Sequence, residues 1–156
     1  MRCSLAILPM LAIGLATPAF AEDAASVAKT ACEDFNTLSA TGDAAKLVNS
    51  HYAEKAIFIG PLPIAGILIG RDAIQKHFAG VYKTFNLSVT CGTAMSLNES
   101  TALVSGTWLA TPKDPSGSPI KGSYGITYVN EGGKWLAAMD SWNVELPAAP
   151  AEKASQ

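Results

Sequence analysis

Gly133-Lys134-Trp135-Leu136-Ala137-Ala138-Met139-Asp140-Ser141-Trp142-Asn143-Val144-Glu145 is the stretch on which the fold reading turns. A Gly-Gly turn opens it, a Pro-Ala tail closes it, and it reads as one long strand. Strict alternation puts Leu136, Ala138, Asp140 and Trp142 on one face and Trp135, Ala137, Met139 and Ser141 on the other. Apolar residues on both faces predict a strand covered on both sides. Asp140 is the acid inside it, and a buried carboxylate is costly unless its surroundings compensate.

Working back from that strand, the chain changes period after Thr84. Phe85 to Leu97 alternates, with Leu87, Val89, Cys91 and Met95 on one face. Thr101 to Thr111 and Ile120 to Val129 are two further strands. Asn98-Glu99-Ser100, the loop from Pro112 to Pro119 and Asn130 to Gly133 are the turns between them. Four strands joined by short loops predict an antiparallel meander. Upstream, Glu22 to Ala40 reads as a helix, with Ala28, Ala31, Phe35 and Leu38 recurring at three- and four-residue spacing. Asp43 to Tyr52 is a second, short helix with Asp43 as its N-cap. Ala56 to Ile59 and Gly66 to Ile69 are short strands around a proline bend. Arg71 to Lys83 is a third helix, with Ile74, Phe78 and Val81 inward. A curved sheet wrapped around three helices buries this pattern and leaves a cone with an apolar interior, the usual form of a small-ligand pocket.

The 156 residues suffice for one domain with a real core. Hydrophobic content is 49%, charged content 15% and formal net charge -2, which excludes a disordered chain. The absence of a Lys/Arg cluster excludes a nucleic-acid binder. Residues 1–21 read as a signal peptide: Arg2, an apolar run from Leu5 to Ala16, and a small-x-small end at Ala21. The alternative is an N-terminal core helix. The run is too short to span a membrane comfortably, so no membrane attachment is expected after cleavage. The mature domain is expected over residues 22–146, with a disordered tail over 147–156, in the periplasm or the medium. Without Arg2 the chain holds 10 basic and 13 acidic residues.

Export puts Cys32 and Cys91 in an oxidising compartment, where a pair is more often a bridge than a metal site. The alternative is two buried free thiols. Two Cys and two His without short spacings do not make a zinc set, and no metal or cofactor is expected. No nucleophile elbow, phosphate-binding loop or dinucleotide fingerprint is present.

Three motifs carry a family likeness. Tyr52-Ala53-Glu54-Lys55-Ala56 resembles the Tyr-Ala-acid-acid-Ala step of the NTF2-like superfamily. Gly70-Arg71-Asp72-Ala73-Ile74 resembles its Gly-x-x-Ala-Ile entry to the third helix. Gly133-Lys134-Trp135, with Asp140 and Trp142, resembles the closing strand of its SnoaL-like and DUF4440-like branches. The resemblance spans about residues 24–145. It implies an α+β, NTF2-like (cystatin-like) cone, three helices packed in a strongly curved, mainly antiparallel sheet. It also implies frequent dimerisation through the outer sheet face. It implies no single function, since the superfamily holds isomerases, cyclases, hydrolases and non-catalytic modules. Gly60 stands before Pro61 where ketosteroid isomerases place their catalytic Asp, and Ile126-Thr127 stands where they place the second. After the signal segment Arg71 is the lone arginine, so the Asp-Arg-Asp set of the epoxide hydrolases is not supported. Asp140 matches the closing-strand Asp of SnoaL-like cyclases, which the resemblance makes a pocket acid or base.

Asp140 is thus the candidate catalytic group. If it points into the cone, desolvation raises its pKa toward general-base values. The alternative leaves it in solvent at a sheet edge or paired with a neighbouring strand. Tyr52, Phe58, Phe78, Trp108, Tyr124 and Trp142 are the candidate pocket residues, with core or interface packing as the alternative. Tyr128 is a further candidate hydroxyl donor. His51 and His77 read as structural or exposed, His51 as a cation capping helix carbonyls. The leading expectation is a domain that binds a small, largely apolar molecule, as a homodimer. One alternative is a cofactor-free isomerase, cyclase or hydrolase with Asp140 as base. Another is an interaction domain whose cone is filled by its own side chains.

Overall fold

A computed structural model describes residues 24–61 and 65–145. The expected signal segment, 1–21, and tail, 147–156, lie outside the described residues. Three helices and six strands follow in the order α1 (Ala24–Ala40), α2 (Ala44–His51), β1 (Tyr52–Gly60), β2 (Gly66–Ile69), α3 (Arg71–Thr84), β3 (Phe85–Asn98), β4 (Thr101–Pro112), β5 (Ile120–Glu131) and β6 (Lys134–Trp142). They form one mixed sheet ordered β2-β1-β6-β5-β4-β3. The four long strands make the antiparallel meander, and β1 joins it parallel to β6. The helices cover one face, which gives the expected α+β cone, open rather than closed into a barrel.

Local chemistry sets the element ends. The Asp43 side chain accepts the Lys46 backbone N–H and caps α2. Gly70, at φ 82°, turns the chain from β2 into α3, a conformation that a Cβ disfavours. Tyr52 belongs to β1 rather than to the helix before it, because its extended backbone (φ -106°, ψ 144°) ends α2 at His51.

Two bulges correct the expected strand faces. In β6, Thr127 pairs with Met139 while its neighbour Tyr128 pairs with Ala137, so Ala138 is the extra residue. Trp135 and Ala137 therefore share the helix-covered face with Asp140 and Trp142, against strict alternation. In β3 the register shifts between Cys91 and Ala94, which sends Met95 to the outer face.

The helix-covered face is laid out in rows across the strands. One row runs Ala94, Val104, Ile126, Asp140, Phe58 and Leu68 through all six strands. Asp140 is its one polar member. Beside it, one row alternates small with aromatic, Ala102, Tyr128, Ala137 and Tyr52, and the other sets Gly106 next to the paired rings of Tyr124 and Trp142. Small residues make room for the rings between them. The helices add Val27, Ala28, Phe35, Leu47, Val48, Ile74, Phe78 and Tyr82 to this core. Val81, expected inside, is half-buried and Tyr82 takes the deeper position.

The outer face carries a matching row: Met95, Leu103, Thr127, Met139, Ile57 and Ile69, again in register through all six strands. Its five apolar members are exposed. At the far side of the cone, Cys32 on α1 is bonded to Cys91 on β3, with the two Cα atoms 5.9 Å apart. Among the described residues no helix is long and apolar enough to cross a membrane.

Candidate functional site

Asp140 lies at the middle of the cone with 0% exposure. Tyr52 donates its hydroxyl to Oδ2 at 2.6 Å, and the Trp142 indole N–H donates to Oδ1 at 2.7 Å. Burial raises the Asp140 carboxyl to about 7, against the opposing pull of those two donors. The two hydrogen bonds satisfy the carboxylate without supplying a counter-charge, so desolvation wins. Asp140 is neither at a sheet edge nor in solvent.

The bulge at Ala138 lets Tyr52 reach it: Tyr52 pairs with Ala137, and its ring runs along the covered face toward Asp140. Its backbone is fixed from α3, where Arg71 Nε and Nη2 both donate to the Tyr52 carbonyl, at 2.8 and 2.6 Å. Arg71 thus serves the frame and not the pocket. Burial and the nearby Asp140 push the Tyr52 hydroxyl well above the usual tyrosine range.

His51 is not a capping cation. It is buried, its Nε2 lies 3.0 Å from the Tyr128 hydroxyl, and burial, with Lys134 adding to it, lowers its pKa to about 4. Nothing in the sequence marks a neutral, buried histidine here; its place is set by Phe35, Tyr52 and Tyr128, whose rings pack around it.

The cone interior is largely filled. Phe35, Phe58, Phe78 and Trp142 pack ring on ring, and Trp142 also meets Tyr124 and Trp108 at centroid distances of 6.0 and 5.3 Å. An inner hollow of about 10 Å³, room for one water at most, remains between α1 and β3–β5. A second cavity, of about 70 Å³, lies where the end of α3 meets the sheet. Phe58, Phe78, Trp108 and Trp142 line it, with Val81, Phe85 and Leu87 at its sides. His77 is its one ionisable group, and burial holds that imidazole below its usual pKa.

Four of the six expected pocket residues therefore share one slot. Tyr124 lines the inner hollow instead, and Tyr52 lines neither. Sequence reasoning missed Phe85, Leu87, Ala110 and Ile120 as slot residues. The available signals were Phe78 and Val81 on one face of the third helix, with Phe85 and Leu87 following at strand spacing directly after it. A third depression, about 290 Å³, opens between α1, the end of α2 and the β5–β6 turn, with Asp34 and Lys134 exposed at its rim. Among the described residues no group of three or more His, Cys, Asp or Glu is placed to hold a metal ion.

No family model and no curated protein matches the chain in sequence. Solved structures do match in fold. A provisional calcium/calmodulin dependent protein kinase II association domain from Xanthomonas campestris aligns at TM-score 0.69 and 20% identity, over 83% of this chain and 92% of that one. A ketosteroid isomerase-like protein from Erwinia carotovora atroseptica aligns at TM-score 0.68 and 17% identity, over 82% and 100%. A domain of unknown function with a cystatin-like fold from Nostoc punctiforme aligns at TM-score 0.67 and 14% identity, over 80% and 79%. These likenesses show the fold, NTF2-like and cystatin-like, and nothing of the chemistry.

Proposed function

We propose that this domain binds a small, largely apolar molecule in the slot beside Trp142, without turning it over. The observation that carries this reading is the contrast between the two candidate places. The slot is a preformed apolar cavity with aromatic walls and no convergent polar groups. Asp140, the one strong acid–base candidate, is sealed beneath Tyr52 and Trp142. A cavity of about 70 Å³ suits a short alkyl chain or one edge of a ring. Titration with 1-butanol, followed by NMR, tests it. Saturable shifts at Phe58, Phe78, Trp108 and Trp142, lost in Val81→Trp, are expected. Shifts that do not saturate, or that survive Val81→Trp, exclude the slot.

A second reading keeps Asp140 as the general base of a SnoaL-like isomerase, cyclase or hydrolase. Its support is a carboxyl held near neutrality with a tyrosine on one oxygen. It requires the Trp142 indole to move aside so that substrate reaches Oδ1. Asp140→Asn should then keep the fold and abolish turnover of any substrate found; unchanged turnover removes Asp140 from the mechanism.

The chain is further proposed to act after export, in the periplasm or outside the cell, and as a homodimer. The Cys32–Cys91 bridge and the signal-like residues 1–21 support the first. The outer apolar row, continuous over six strands and free of charge, supports the second.

A further inference from the structure

Trp142 is the single residue that lines both the outer slot and the inner hollow. Its indole is the wall between them, and its N–H is held by Asp140 Oδ1. We propose that Trp142 is a gate latched by Asp140, so that a ligand longer than the slot enters the inner cone only when Asp140 carries a proton. This rests on the slot reading above and adds the control of that site.

The physics is a change in one hydrogen bond. An ionised Asp140 offers both oxygens as charged acceptors, to Tyr52 and to Trp142, and charge-assisted bonds are about twice as strong as neutral ones. A protonated Asp140 spends one oxygen as a donor, and its remaining acceptor bond is neutral. The indole is then free to turn and join the two spaces. An apolar chain beside the carboxyl also favours the uncharged form, so binding and protonation help each other. Burial already places this proton exchange near neutral pH.

No other group facing the cluster mimics this response. Tyr52 on β1, Tyr124 and Tyr128 on β5 and Tyr82 on α3 all have raised pKa values and stay neutral. His51 at the end of α2 titrates at about 4. Asp34 on α1 acts on Tyr128 and Lys134 at the start of β6 acts on His51, and neither is among the causes of the Asp140 shift. His77 lines the slot, but its protonation at acid pH puts charge against an apolar ligand and so has the opposite sign.

The experiment compares 1-butanol, short enough for the slot alone, with 1-octanol, which needs the inner space. Both are neutral at every pH used. Between pH 6 and pH 8 the Kd of 1-octanol should rise about tenfold while that of 1-butanol stays level, as expected when only the protonated state admits the longer chain. Asp140→Asn, and separately Trp142→Phe, should bind 1-octanol with one affinity across that range. A 1-octanol affinity that is flat with pH in the native protein, or a pH response that survives in either variant, overturns the gate while 1-butanol binding leaves the slot intact. Absence of 1-butanol binding at both pH values overturns the slot and the gate together.

Discussion

At the scale of single residues, the cone holds two buried ionisable groups shifted in opposite directions. Asp140 moves from 3.8 to about 7, so its contribution to stability is complete below about pH 4 and lost as pH rises through 7. His51 moves from 6.5 to about 4, so its contribution is complete above 6.5 and lost as pH falls through 4. The two slopes oppose each other between about pH 4 and 6.5. We expect the native protein to show nearly level stability over that window in urea unfolding. Asp140→Asn should expose a stability that rises with pH by roughly 3 kcal/mol, and His51→Gln one that falls by a similar amount, at about 1.4 kcal/mol per pH unit. Equal pH profiles for the three proteins would show that neither group is buried as described. Tyr52→Phe should cost about 1.5–3 kcal/mol at pH 8, where a charged acceptor loses its partner, and less at pH 5. The Asp140 environment was legible in the sequence, because an acid inside an apolar strand has few places to go. The neutrality of His51 was not, because it comes from rings contributed by α1, β1 and β5, far apart in the chain.

At the scale of elements, the sequence showed every helix and strand, and it failed where a strand departs from period two. Ala138 and the Gly92-Thr93 step each add a residue, and each moves the side chains beyond it to the other face. Alanine has no preference that betrays a bulge, so strict alternation puts Ala137 and Trp135 on the wrong side. The end of β6 is tied down by glycine. A Cβ on Gly122 would overlap the Asn143 carbonyl oxygen and press on the Trp108 indole, whose N–H donates to Asn143 and Ser123 carbonyls at 3.0 and 3.2 Å. Gly122→Ala should therefore cost 2 kcal/mol or more, on the order of a strained core position, and quench the pairing of Trp108 with Trp142 seen by near-UV circular dichroism. Between α1 and β3 the tie is covalent. The bridge closes a loop with a sequence separation of 59, worth roughly 4 kcal/mol on the chain-entropy argument. Replacing both cysteines by serine should lower the urea midpoint accordingly, and peptide mapping without reductant should recover Cys32 joined to Cys91.

At the scale of the whole molecule, the covered and outer faces present rows of the same register, one buried against helices and one bare. The bare row predicts self-association. Sedimentation should find a dimer, and Met139→Lys with Leu103→Lys should return it to a monomer of unchanged stability; a monomer at the outset would send the row to another partner. The cone itself was foreseeable from the alternation of helices and strands. How nearly full it is was not, since five rings from α1, α3, β1, β5 and β6 meet only in three dimensions. The order of the strands has one more effect. β6 stands between β1 and β5, yet it is made after the other five. A nascent chain halted before Lys134 holds a hairpin and a three-stranded ribbon with no seam to unite them. Closure of the six-stranded sheet must therefore wait for the last strand to emerge.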